Sequence, residues 1–158
     1  MTYYTYHEDP DTVDGSRVFV FATSLKGDMK LGYGPIAVKR HGAQIGRPMG
    51  YNVLGGVGRS FAIPFKDKDG FDLSTQSILV NIDEFIRHTV NVPYETYHIT
   101  DVTKIIPRVQ PKVIMRLFIG CHSNCIFPSS WRETIEPPTA LIEEPIENRT
   151  DIVLKTNY

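Results

Sequence analysis

Several things are scarce in this chain, and each scarcity excludes something. Only 2 of its 158 residues are cysteine. No disulfide framework can be built from that, and the count suits a reducing compartment. Its apolar runs fall far short of the roughly 20 residues a membrane-crossing helix needs. Residues 1–14 are polar, aromatic and acidic, without the apolar stretch of a secretory leader. Net charge is −1, so no global field draws the chain to nucleic acid or an acidic membrane. The expectation is a cytoplasmic protein without membrane or nucleic-acid partners, in which an anionic ligand must be held by a local pocket.

What is present fits one globular α/β domain. Hydrophobic residues make up 41% and charged residues 22%, ordinary values for a folded domain. A chain of this length buries roughly 68–70% of its unfolded surface. Residues 17–23 (RVFVFAT) form an unbroken β-branched and aromatic run, which predicts a strand covered on both faces. Pro35 opens a short helix reaching about His41. Residues 42–58 hold six glycines and Pro48 and are expected to be a long irregular loop.

A strand over 60–64 and an exposed turn over 66–70 follow. The strongest helix spans 74–91, with Ile78, Ile82, Phe85 and Ile86 on one face, Leu79 and Val90 at its edges and Ser74 as N-cap. A strand over 96–100, a helix over 109–118 opened by Pro111 and a strand over 124–127 complete the order. Strands alternating with helices imply right-handed crossovers and a largely parallel sheet with helices on both faces. The expected divisions are an arm over 1–16, docked by Tyr3, Tyr4 and Tyr6, a domain over 17–135, and an acidic, proline-rich tail over 136–158. Ile152, Val153 and Leu154 are expected to add an edge strand.

The first strand feeds VFVFATSLKGDMKLGYGP, a glycine-bearing turn running into a helix. Glycine lets backbone amides approach an anion closely, and a helix start favours negative charge. The pattern is neither GxGxxG nor a P-loop. On pattern alone, glycines that merely relieve strain in a tight turn explain it as well or better. Cys121-His122-Ser123-Asn124-Cys125 offers thiols and an imidazole, but no second Cys/His pair completes a tetrahedral zinc site, so no metal is expected. A nucleophilic Cys121 would need a partner to lower its pKa, and only His122 stands near it in sequence. Lys66-Asp67-Lys68-Asp69 reads as a solvated turn. His98, alternating with Tyr97 in a strand, reads as a hydrogen-bonded structural histidine rather than a base.

Three strings stand out: Lys39-Arg40-His41-Gly42-Ala43, Gly58-Arg59-Ser60-Phe61-Ala62-Ile63-Pro64 followed by Lys66-Asp67, and Phe127-Pro128-Ser129-Ser130-Trp131-Arg132. In them the chain resembles a macro-domain-like family of phage and bacterial proteins, the second string being the most specific part of the likeness. The likeness covers roughly residues 17–100. It implies a three-layer α/β/α fold that binds ADP-ribose or hydrolyses its derivatives, in a host cytoplasm if phage-encoded. Two departures stand out. Ser24 occupies the place where the family usually has asparagine, and residues 100–106 lack the glycines of a second phosphate loop.

On this resemblance the ligand is ADP-ribose or a related NAD-derived nucleotide, with no further cofactor. The amides of Gly27, Asp28, Gly32 and Gly34 would face phosphate, Ser24 a ribose, and Tyr33 a base or the pocket mouth. Because ligands of open α/β sheets collect beyond the carboxyl ends of strands, the expected crevice lies between the 24–35 and 100–104 loops, with Thr100 and Val102 on its far wall. One alternative is an ADP-ribosyl hydrolase in which Asp28 or Asp101 orients a water. Another is an interaction or inhibitor protein that binds a protein partner through the tyrosine-rich arm and the acidic tail.

Overall fold

A computed structural model describes residues 4–8 and 15–137. The strand Val18–Ser24 (β2, after an edge strand β1, Thr5–His7) is buried at every position. Its alternation feeds two separate cores. Val18, Val20 and Ala22 join one cluster, while Phe19 and Phe21 join another. An all-apolar run is what a strand with both faces covered requires.

The remaining elements are α1 (Gly34–Arg40), β3 (Gly50–Leu54), β4 (Gly58–Lys66), α2 (Thr75–Asn91), β5 (Tyr97–Ile99), α3 (Pro111–Leu117), β6 (Cys125–Pro128) and α4 (Arg132–Ile135). A 3-10 turn, Val102–Ile105, precedes α3. The six strands form one sheet in the order β1-β6-β5-β2-β4-β3. All neighbours are parallel except β3 and β4. The chain steps one way across the sheet from β2 to β4 and the other way from β4 to β5. Right-handed crossovers therefore place α1 on one face and α2 on the other. The cores agree: Ala37 of α1 packs with Phe19, Phe21 and Ala62, while Ile78, Ile82 and Phe85 of α2 and Ile114 and Leu117 of α3 pack with Val18, Val20, Phe61 and Ile63. The architecture is three-layer α/β/α. No helix of the described residues is long and apolar enough to cross a membrane.

Helix α2 follows its pattern. Ser74 caps it, its hydroxyl accepting from Ser77 N at 3.1 Å, and Ile78, Leu79, Ile82 and Phe85 are buried. Val90, expected at the edge of the apolar stripe, faces solvent. Pro64 lies within β4, where proline can give no ladder donor. It is tolerated because β3 pairs only as far as Ala62, and the register against β2 shifts by one residue between Thr23 and Ser24. Asn81 Nδ2 of α2 donates to the Pro64 carbonyl at 3.0 Å.

Two expectations change. The 42–58 segment is not wholly irregular, because β3 returns along β4 through a three-residue loop, Gly55-Gly56-Val57, closed by Val57 N donating to Leu54 O at 3.0 Å. Residues 5–7 of the arm are strand β1, paired parallel to β6. Its tyrosines do dock. Tyr4 packs edge-on against Phe127 at 4.9 Å, its hydroxyl donates to Cys121 O at 2.6 Å, and Tyr6 lies 6.4 Å from the same ring. Tyr3 and the edge strand expected at 152–154 lie outside the described residues.

Candidate functional site

Ser24 ends β2 with 6% of its surface exposed. The chain then turns at once, Gly27 N donating to Ser24 O at 3.0 Å, and Gly46 N donates to Gly27 O at 2.8 Å. Met29 follows with φ of 55°, a left-handed conformation unusual for a side-chain-bearing residue. Its strain, roughly 1–2 kcal/mol, is offset by burying the side chain against the Phe19, Phe21 and Ala37 cluster. Gly34 lies so close beneath that a Cβ there would collide with the Met29 carbonyl.

These glycines therefore serve the loop's own packing. The amides of Gly27 and Gly34 are used within the loop, the latter donating to Leu31 O at 2.7 Å. Each already has a backbone acceptor. Among the described residues, the Asp28 and Gly32 amides have no backbone partner. Helix α1 has seven residues and its first amide is taken, so the phosphate seat expected at its start is not what this turn builds. Tyr33 sets its ring edge-on to Phe19, with centroids 6.2 Å apart. It packs on the sheet face.

The expected far wall is also occupied. Thr100 is fully buried, its hydroxyl donating to Val20 O at 2.7 Å, and Val102 is buried. Asp101 Oδ1 accepts from Thr103 N at 3.1 Å, from Thr103 Oγ1 at 2.6 Å and from Trp131 Nε1 at 3.4 Å. Through Oδ1 that carboxylate caps the 3-10 turn and anchors the indole. Where the two loops meet, Ile105 fills the gap: a Cβ on Gly32 would stand 2.8 Å from Ile105 Cδ1.

An open cleft of about 260 Å³ lies on the other flank of β2, toward β4. The loop after β2 contributes Ser24, Lys26, Asp28, Lys30 and Leu31 to its wall. The end of β4 and the turn after it contribute Lys66, Lys68, Asp69 and Gly70. Four lysines and two aspartates thus line it. Lys66 is held by Asp72 at 2.8 Å, and Asp72 also binds Arg108 at 3.0 Å. The position follows from topology. The chain leaves β2 toward one face and β4 toward the other, so their carboxyl ends part and leave a crevice.

Ser24 and Asp28 are thus brought together in this cleft, while Gly27, Gly32, Tyr33 and Gly34 serve the packing of the loop after β2 and Thr100, Asp101 and Val102 stand on the opposite flank of that strand. Lys66 and Lys68 belong to a stretch that the sequence presents as a solvated turn, and Lys26 and Lys30 to the glycine-bearing loop. The signal lay in the chain: a charge-bearing turn closing a strand that neighbours β2.

Other candidates resolve structurally. His98 is buried, stacked on His7 with centroids 3.8 Å apart. Arg17 Nη1 lies 3.3 Å from His98 Nδ1. A guanidinium only donates, so Nδ1 accepts and the ring is neutral. Burial first, then the neighbouring His7, Arg17 and His41 push its pKa down to about 3. Cys121 and Cys125 are buried. Among the described residues, no three His, Cys, Asp or Glu side chains converge on one point where a metal could sit. Comparison with protein-family models, curated proteins and solved structures finds no match.

Proposed function

We propose that this protein is a nucleotide-binding module whose cleft between the carboxyl ends of β2 and β4 takes ADP-ribose or a related NAD-derived nucleotide. The observation that carries this reading is the cleft itself. It opens where crossovers part, has a nearly buried hydroxyl, Ser24, in its wall, and carries four lysines against two aspartates. Ammonium groups neutralise a diphosphate, and a fixed hydroxyl at a strand end suits a ribose. The wording shared with macro-domain-like proteins points to the same ligand class. In a hydrolase reading of this cleft, Asp28 is a carboxylate in its wall, while Asp101 lies on the other flank of β2.

Calorimetric titration with ADP-ribose tests this. Stoichiometric binding is expected, and Ser24→Ala should weaken it by about two- to twelvefold, the worth of one neutral hydrogen bond. Absence of binding at millimolar ADP-ribose would refute the reading. Turnover of a mono-ADP-ribosylated protein, abolished in Asp28→Asn, would move the conclusion from binding module to hydrolase.

A further inference from the structure

The cleft is too small and too polar to enclose a whole dinucleotide-sized ligand. At about 260 Å³ it lies below the roughly 300–1,000 Å³ of pockets that engulf drug-sized molecules. Among the described residues, Leu31 is the one large apolar residue in its wall, and no aromatic ring lines it. A phosphate and a ribose find partners there, but a base finds no flat face.

A flat face stands next in the chain. Phe71 directly follows Gly70, which lines the cleft, and is 70% exposed. Its backbone is pinned from both sides. Asp67 Oδ1 accepts from Asp69 N and from Phe71 N, each at 2.9 Å, and Asp67 N donates to Phe71 O at 2.8 Å. Gly70, at φ of 87°, supplies the left-handed step that closes the turn. Beyond Phe71, Asp72 pairs with Lys66 and Arg108. A large apolar ring is thus kept in solvent on a preorganised turn, one residue from a lysine-lined cleft. Such a support lowers the ordering cost of a contact made there.

We infer, on the reading that the cleft binds a nucleotide, that it holds only the phosphate and ribose portion while the base stacks on Phe71 outside, so that recognition is tolerant of base identity. Stacking accepts any base because every base has a π-face. The ligand class is then a ribonucleoside diphosphate or its ribosyl derivative, with purine and pyrimidine alike accepted.

The test is competition against bound ADP-ribose by ADP, GDP, CDP, UDP and ribose 5-phosphate, in the full chain and in Phe71→Ala. The four diphosphates are expected to compete within about threefold of one another. Phe71→Ala should weaken all four, and ADP-ribose, by at least about fivefold, while ribose 5-phosphate is unaffected and Phe71→Trp restores binding. Phe71 is exposed, so an unchanged thermal midpoint is expected in both variants. ADP outcompeting CDP and UDP more than tenfold, or ADP-ribose binding unchanged in Phe71→Ala, would overturn the inference and leave the nucleotide reading standing. No binding of ADP-ribose to the parent chain would remove both. A single-stranded RNA oligomer that displaces ADP-ribose at lower concentration than any mononucleotide, with the same Phe71 dependence, would also overturn it by making the ligand a polymer.

Discussion

Strand β2 has two flanks at its carboxyl end, and they have met opposite fates. Toward β5 the gap is closed by Ile105 under Gly32, by the buried Thr100 and Val102, and by Asp101 gripping Trp131. Toward β4 it stays open, walled by lysines and two aspartates. Topology favours a crevice on both flanks, because the chain leaves β2 toward one face and leaves both β4 and β5 toward the other. Side chains decide which survives. Apolar residues with capped polar neighbours collapse one gap. Like-charged lysines, which cannot bury without partners, keep the other solvated and open.

The largest effect that would break this contrast comes from Gly34→Val. Its side chain must push away the Met29 carbonyl, so stability should fall by about 3 kcal/mol, read by urea unfolding. Both flanks share that loop, and ligand affinity should fall with it. A stable Gly34→Val protein would mean that the loop is not packed as described.

Asp101→Ala comes next. It removes the acceptor of the Thr103 and Trp131 donors, at about 2 kcal/mol of stability. On the closed-flank account, ADP-ribose affinity measured well below the melting temperature stays near the parent value. A loss of affinity larger than tenfold with little loss of stability would return Asp101 to the site.

Lys26→Ala and Lys68→Ala reverse that pattern. Each should weaken ADP-ribose binding by about fivefold, or roughly 1 kcal/mol at solvent-exposed distances. Unfolding free energy should move by less than about 0.5 kcal/mol. Binding should also weaken as salt rises. Insensitivity to both lysines and to salt would speak against a charged cleft as the ligand seat.

Near neutrality the smallest effect is that of pH. The pKa of His98 is depressed from 6.5 to about 3. Its unfolded form therefore binds a proton that the folded form refuses between those values. The stability it contributes is fully present above 6.5 and declines by roughly 1 kcal/mol per pH unit as pH falls toward 3. His41, also lowered by burial and by Arg40, acts in the same direction. His98→Phe should flatten part of this slope. An unchanged slope would mean that His98 is not held neutral.

Much of the frame was legible beforehand because burial leaves a plain mark. Residues 17–23 could be assigned to a central strand, since only two-sided cover suits such a run. Helix α2 could be placed because its apolar residues recur at helical spacing. Strand β3 was lost because glycine is ambiguous. Gly55 and Gly56 beside Tyr51-Asn52-Val53-Leu54 mark a hairpin turn, yet among so many glycines they read as loop. Helix α4 leaves no pattern because its four residues, Arg132–Ile135, are too few to show a period. The lysine-lined cleft lies on the β4 flank of β2, not on the β5 flank to which the sequence points. Its location depends on whether Ile105 reaches Gly32, a long-range contact that no local pattern reveals.

Amide chemical-shift mapping during titration with ADP-ribose tests the central claim most directly. The account predicts that shifts concentrate in residues 24–31 and 66–71, while 100–105 stay at their free positions. Shifts centred on 100–105, with 66–71 silent, would place the ligand on the closed flank and contradict it.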